Sequence, residues 1–340
     1  MGISIAERPP RRRSRPRLRT DHAHPAPASR SCIPPIETRM PETMTDLFDH
    51  RQVRRAFARA AGNYDQAAAL QREVGARLME TLDYLEDRVP QVVADIGCGP
   101  GHAAAAMQKR WPKAQVVALD LALPMLQQAR RNAGRWRPFV RRPDTVCADA
   151  RALPLRDNSV DVLFSNLCLQ WVEDLPAVFA GFRRVLKPDG LLVVSTFGPD
   201  TLFELRGAFS EADDAPHVSL FPSIGQFGDA LIAAGFKNPV LDRDEFTLRH
   251  ADLAGLMREL RTLGATNAMV DRRRSLTGRQ RFARAAQAYE QLRDAGGQLP
   301  ATWEVVYAHA WGPPPGTPIR VGGVDEVHVP VSKIRIRQRS

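Results

Sequence analysis

Gly97, Gly99 and Gly101 lie two apart at the end of an apolar run, in VVADIGCGPGHAAAAM (92 to 107). A strand that ends in glycines and leads into a helix leaves backbone N–H groups where a ligand can come close. Loops that hold a dinucleotide pyrophosphate favour glycine at the first, third and sixth positions. Here the sixth position is His102, and the carboxylate of Asp95 stands two residues before the first glycine. A carboxylate there is a poor neighbour for a pyrophosphate but a good one for a ligand with an ammonium group. The loop therefore points to S-adenosyl-L-methionine rather than NAD.

Two further acids extend the pattern. Asp120 ends the run QVVALD about twenty residues after the loop, where a carboxylate can accept both hydroxyls of a ribose. Both candidate cofactors carry that ribose, so Asp120 alone does not discriminate. Asp149, in Ala148-Asp149-Ala150, ends a third run and can accept from an adenine amino group, and a fourth run passes through Ser165-Asn166. Singly, each position has a structural reading, since strand-end acids cap helices and glycines make turns. Together they place a glycine loop, a ribose acid and an adenine acid at the ends of successive strands. The four cysteines (Cys32, Cys98, Cys147, Cys168) form no CxxC pair and no metal-ligand spacing, so no metal is expected. No His/Asp or Cys/His pairing stands out as a general base. A carboxylate nucleophile, with an ordinary pKa near 4, would require none.

The elements that carry these residues follow from period. Apolar spacing predicts two helices over 49 to 82, with Val53, Phe57 and Ala61 on one face and Leu70, Val74 and Leu78 on another. Gly62-Asn63 separates them, Asp65 is the expected N-cap of the second, and Tyr64 marks the junction. After Pro90, short apolar strands alternate with helices. Strands are expected over 92–98, 115–120, 140–149, 160–169 and 191–198, with helices over 101–111, 124–132 and 175–186 and a turn at 187–190. This alternation means a parallel sheet with helices on both faces, whose ligands bind at the carboxyl ends of the strands. A helix over 222–235 follows, and strands over 239–248 and 302–311 read as an antiparallel closing pair. The roughly fifty residues between them are mostly helical and read as a cap over the same sheet edge.

The chain of 340 residues carries a net charge of +10. Nine arginines against four acids fall in residues 1 to 43, a Pro/Arg/Ser-rich segment with almost nothing to bury, which is expected to be disordered. More of the excess lies in the basic tail at 331 to 340. Both ends read as solvated tails rather than nucleic-acid arms, and Met40 and Met44 suggest that residues 1 to 43 come from an early start codon. No apolar run approaches the roughly 20 residues of a membrane span, and the basic N-terminus has no apolar segment of the secretory kind behind it. A cytoplasmic monomer without a nucleic-acid or membrane partner is expected. The domain reading is a lid at 44–89, a cofactor core at 90–250, a cap at 251–301 and a closing strand with C-terminal segment at 302–330.

Residues 90 to 200 resemble the class I S-adenosylmethionine-dependent methyltransferases, through the glycine loop and the run VDVLFSNLCLQWVEDLPAVFAGFRRVLKPDGLLVVSTFGPDTLFELR. The opening RRAFARAAGNYDQAAALQREVGARL, with GPDTLFELR, HVSLF, AGF, LRTLGATN and EVVYAHAWGP, is similar to the malonyl-[acyl-carrier protein] O-methyltransferases of biotin synthesis. The likeness covers about residues 45 to 335. It implies a Rossmann-like α/β fold with a seven-stranded sheet, N-terminal helices and a helical cap. It also implies an enzyme that methylates the free carboxyl of a malonyl thioester on acyl carrier protein.

By the same resemblance Gly97, Cys98, Gly99 and Gly101 line the methionine part of the cofactor, with Asp95 and Asn166 near its amino end. Asp120 takes the ribose, Asp149 and the backbone at Ala150 take the adenine, Leu121 and Met125 also touch the cofactor, and Tyr64 closes over it. Arg258, and after it Arg206, are the candidates for the malonyl carboxylate. Carrier protein is acidic, so Arg272, Arg273, Arg274, Arg279, Arg281 and Arg284 on the cap would suit docking, although they read equally as a solvated helix face. His217 and the turn 264–267 fall in matched segments without a role that the sequence reveals. Three rivals stay open: a quinone- or sterol-type small-molecule methyltransferase, a methyltransferase-like factor that modifies a respiratory-complex protein, and a nucleic-acid-modifying enzyme, which has only the basic tails behind it.

Overall fold

The computed structural model describes residues 47–134, 141–273, 278–317, 319–321 and 324–326. The segments read as tails, and Arg274, lie outside the described residues.

The chain opens with helices α1 (His50–Ala60), α2 (Tyr64–Ala67) and α3 (Ala69–Glu80), closed by a 3-10 turn at Thr81–Leu85. The expected second helix is thus broken at Ala68, and Asp65 is not its cap. Asn63 holds the N-cap position without a side-chain bond, and Asp65 lies in the first turn of α2, where it accepts from His102 Nε2 at 2.8 Å.

The core then alternates β1 (Val92–Ile96), α4 (His102–Arg110), β2 (Gln115–Asp120), α5 (Leu123–Asn132), β3 (Asp144–Cys147) and β4 (Val160–Ser165). A 3-10 turn at Leu169–Trp171 leads to α6 (Leu175–Val185), β5 (Leu186–Phe197), α7 (Phe203–Ser210), α8 (Ile224–Ala233) and β6 (Lys237–His250). The cap helices α9 (Leu253–Thr262) and α10 (Arg279–Glu290) precede β7 (Leu299–Trp311) and a small hairpin of β8 (Ile319–Val321) and β9 (Val324–Glu326).

Seven strands form one sheet in the order β3-β2-β1-β4-β5-β7-β6. The first five are parallel, and β7 pairs antiparallel with both β5 and β6, as the closing pair required. The inner strands are buried on both faces, which is why they read as unbroken apolar runs, whereas the edge strands β3 and β6 stay partly exposed. Ala94 and Ile96 of β1 face a cluster with Phe179, Phe182 and Phe227 of α6 and α8, while Val93 faces Leu78, Leu82 and Met107 beneath α3 and α4. Each fully buried phenylalanine contributes roughly 2–3 kcal/mol.

Three strand boundaries differ most from the sequence reading, each for a local reason. The third strand is only four residues long and lies at the sheet edge, where β2 is its single neighbour. The fourth stops at Ser165 because Leu167 turns the chain at φ 48° and donates its N–H to Ser195 Oγ at 3.0 Å. The fifth begins at Leu186 and carries the expected turn as a bulge. Leu186 pairs with Val160 and Leu191 with Val162, so five residues advance against two, with Asp189 at φ 55°.

Helix α7 has no counterpart in the sequence reading. It starts from Leu202 at φ 54° with no side-chain cap, so the usual polar start signal is missing. Leu205 and Phe209 of α7 join Leu253, Leu256 and Leu260 of α9 and Ala285 and Tyr289 of α10 in a second core, which also takes in Leu70 and Val74 of α3. Cap and lid thereby share one apolar cluster.

Candidate functional site

The strand order reverses between β1 and β4, and a crevice opens beyond the carboxyl ends of these strands, as expected at a topological switch point. Nine of the residues expected to touch the cofactor line it: Tyr64, Gly97, Gly99, Asp120, Leu121, Met125, Asp149, Ala150 and Asn166.

The loop glycines divide the labour. Gly97 adopts φ 70°, and a Cβ there would overlap the Cys168 thiol. Gly101 adopts φ 79° at the start of α4, and its Cβ would sit 2.6 Å from Ala129 Cβ of α5. Gly101 is therefore a packing glycine and does not line the crevice. Gly99, at φ 51°, has open space where its Cβ would be, so it is the glycine over which a ligand can lie. Cys98 also departs from expectation: it is buried in the core under the loop, its N–H on Leu119 O at 2.9 Å.

Asp120 fixes the loop against the end of β2. One carboxylate oxygen accepts from Gly99 N at 2.9 Å and the other from Ala122 N at 2.8 Å, and each keeps a lone pair toward the crevice. Burial nevertheless pushes its pKa up to about 6 against these two amides. Asp95 is 2% exposed and lies under the loop rather than on the crevice wall. Its Oδ2 has no hydrogen-bond partner, and burial, opposed by the Ala104 amide and reinforced by the charge of Asp120, raises its pKa to about 7. Two acids that resist ionisation flank a crevice whose glycine leaves ligand space. This arrangement fits S-adenosylmethionine, which brings an ammonium group, a sulfonium and a ribose diol.

A pH prediction follows with its sign. Folded pKa values of about 7 and 6 lie above the unfolded value near 4. The two groups therefore stabilise the ligand-free protein fully below pH 4, and that stability is lost as pH rises through 6 and 7. A cationic ligand favours the ionised forms. The Tm of the ligand-free protein is expected to fall between pH 5 and pH 8 while the increment from S-adenosylmethionine grows. Thermal scans across pH, with Asp95→Asn flattening both trends, check this; parallel trends in Asp95→Asn would refute it.

At the end of the crevice expected to take the adenine, Asp149 accepts from the Arg151 amide at 2.9 Å and pairs with its guanidinium at 2.7 Å. Burial opposes ionisation of Asp149, but the Arg151 bonds outweigh it and hold the pKa low. Asn166 is committed on both sides of its amide: Nδ2 donates to Gln71 O of α3 at 2.9 Å, and Oδ1 accepts from Ser195 Oγ at 2.8 Å. It stitches lid to sheet as well as lining the crevice. Tyr64 packs beside Ala60, Ala61 and Met125, and burial together with the charge of Asp120 holds its phenol far above the usual range, so it stays a donor. Cys168 is likewise pushed up to about 12, chiefly by burial, and is no nucleophile at neutral pH.

The two expected substrate arginines do not line the crevice. Arg258 is 67% exposed on α9, 3.9 Å from Asp252. Helical spacing placed it in the cap but could not give its direction. Arg206 is half-buried on α7 and donates to the carbonyls of Pro199 and Thr201 at 3.0 and 3.3 Å, while its Nε has no partner.

Other wall residues were not visible in the sequence. His50, Val53, Arg54 and Phe57 come from α1, and Trp171 from the turn after β4. His50 Nε2 bonds Glu173 Oε1 at 2.9 Å, a His–acid pair hidden by a separation of 123 residues. Arg151 reaches the same carboxylate at 4.0 Å, so the pair fastens α1 at the Asp149 end of the crevice. The spacing of charged residues on α1 was the one available signal.

The matched segments without a role also find one. Gly264, at φ 74°, lets α9 approach α1, since a Cβ would lie 3.2 Å from Ala56 O and Phe57 Cδ1. Asn267 donates to Pro216 O at 2.6 Å, and His217 stacks on Phe209 and bonds Asp213 at 2.8 Å. Arg272 pairs with Asp49 at 3.0 Å, and Arg273 and Arg281 both lie 3.6 Å from Asp213. Part of the cap arginine run is thus internal fastening and not free for docking.

A doubly wound sheet with this loop and these strand-end acids defines a class I S-adenosylmethionine-dependent methyltransferase, an enzyme of methyl transfer. Residues 94–194 match a methyltransferase domain. A putative methyltransferase from Bacillus halodurans C-125 shares the fold, with a TM-score of 0.51 at 17% identity over 70% of this chain and 100% of that one. The chain is 57% identical over 297 residues to a malonyl-[acyl-carrier protein] O-methyltransferase of Xylella fastidiosa, covering 87% of this chain and 99% of the relative. It is 47% identical over 293 residues to that of Halorhodospira halophila, covering 86% and 97%. The chain belongs to the malonyl-[acyl-carrier protein] O-methyltransferase family.

Proposed function

We propose that this enzyme transfers the methyl group of S-adenosylmethionine to the free carboxyl of a malonyl group held as a thioester on acyl carrier protein, an early step of biotin synthesis. The observation that carries the reading is identity at 57% over 99% of a relative so named, which takes in lid and cap as well as the cofactor core. Esterification removes a charge, so the acyl chain can then enter apolar sites that exclude a carboxylate.

The bound cofactor supplies a methyl group made electrophilic by its sulfonium. Asp120 accepts from the ribose, Asp149 and the backbone at Ala150 meet the adenine, and Asp95 balances the ammonium group through the loop. Tyr64 and α1 cover the cofactor and exclude water. The nucleophile is already ionised at neutral pH, so alignment is the main task and no base is assigned. Of the two expected arginines, neither of which lines the crevice, we assign Arg206 rather than the solvent-facing Arg258 to the substrate carboxylate, because its half-buried guanidinium has an unpartnered Nε and no acid within ion-pair distance among the described residues. The enzyme works in the cytoplasm as a monomer; no helix among the described residues is long and apolar enough to cross a membrane.

Labelled S-adenosylmethionine incubated with malonyl-carrier protein, malonyl-coenzyme A and free malonate is expected to give a methyl ester with the carrier-bound substrate foremost. No ester from any of the three overturns the proposal.

A further inference from the structure

Helix α1 carries Arg51, Arg54, Arg55 and Arg59, all exposed, and no acid along its length. Arg261 is exposed on α9, and a groove lined by Arg59, Asn63, Arg261 and Thr266 runs between the two helices. Among the described residues none of these five arginines has an ion-pair partner. Several acids on or beside the two helices are already matched: Glu173 with His50 at 2.9 Å, Asp49 with Arg272 at 3.0 Å, Glu259 with His250 at 3.1 Å, and Asp252 beside Arg258 at 3.9 Å. Thr266 Oγ1 is buried at the groove with no partner. The positive charge is therefore uncompensated, whereas the arginine run at 272–281 is partly neutralised by Asp49 and Asp213. The charged face also adjoins the chemistry, since α1 is a wall of the crevice and Arg54 lines it.

We infer that the outer face of α1 and the α1–α9 groove form the docking surface for an acidic carrier protein, which delivers its thioester arm past the edge of the lid. This rests on the proposed substrate. Charge complementarity identifies the occupant: a row of unmatched guanidinium groups favours a partner with a carboxylate-rich helix, and such pairs speed encounter and fix register. A rim of this kind is sensitive to salt.

The test is the triple variant Arg55→Glu/Arg59→Glu/Arg261→Glu, assayed with malonyl-carrier protein and with malonyl-pantetheine, alongside calorimetric binding of S-adenosylmethionine. We expect kcat/KM for the carrier to fall at least tenfold and lose most of its salt dependence, with the small thioester and the cofactor Kd unchanged within twofold. No fall for the carrier, or an equal fall for both thioesters, overturns the surface. So does the same selective loss from Arg279→Glu/Arg284→Glu on α10. An RNA-binding shift abolished by the triple variant while carrier kinetics stay intact overturns it in favour of a nucleic-acid partner. A wild-type enzyme inactive on the carrier but active on a small malonyl thioester overturns the proposed substrate instead.

Discussion

Asp120→Asn is expected to weaken S-adenosylmethionine binding about 100-fold, roughly 2.7 kcal/mol, with kcat at saturating cofactor changed only a few-fold. The carboxylate has two tasks at one place. It accepts from Gly99 N and Ala122 N, which shapes the glycine loop, and its remaining lone pairs face the crevice. Hydrogen bonds to a charged acceptor are worth about 1.5–3 kcal/mol each. Asparagine keeps a single acceptor oxygen and turns an amide donor toward one of those backbone N–H groups, so both the loop and the ribose contact weaken. Because Asp120 is costly to ionise in the ligand-free state, its replacement should not lower the Tm much. Calorimetric titration checks this, and a Kd within threefold of the parent would remove Asp120 from the cofactor site.

Gly97→Ala should fail in the opposite way, by stability. At φ 70° an L-residue is strained, and the added methyl meets Cys168 Sγ and Cβ. The strain costs about 1–3 kcal/mol and overpacking a similar amount, so a loss of about 3 kcal/mol is expected, read as a Tm lower by several degrees and a lower denaturant midpoint. Adding Cys168→Gly removes both clashing atoms and should recover part of the loss, leaving the backbone strain. A Gly97→Ala protein with unchanged Tm would show that the loop yields at no cost.

The groups that the sequence reading assigned to the cofactor hang from strand ends, which is why counting could bring most of them to one crevice. β1 and β2 are apolar runs whose last residues must emerge at one sheet edge, so Asp120 and Gly97 could be placed by counting. The substrate half hangs from helices, and there the residue type is visible but its direction is not. Arg258 and the wall residue Arg54 look alike as letters, yet Arg258 faces solvent on α9 and Arg54 lines the crevice. His50 and Glu173 stand 123 residues apart, and no local pattern joins them. Asp95 shows a further limit: its position before the loop was readable, but not that the β1 pleat sends it beneath the glycines rather than onto the wall.

The lid is tied to the rest of the fold by Asn166 to Gln71, His102 to Asp65, His50 to Glu173, Arg77 to Asp244 and Asp49 to Arg272, beside the apolar cluster that α3 shares with the cap. At about 1 kcal/mol for each tie, and with Leu70, Val74 and Leu78 of α3 buried besides, release of the whole lid is too costly to accompany every turnover. Exchange of spent cofactor for fresh is therefore expected to ride on a local opening where α1 walls the crevice with His50, Val53, Arg54 and Phe57, while α3 stays seated.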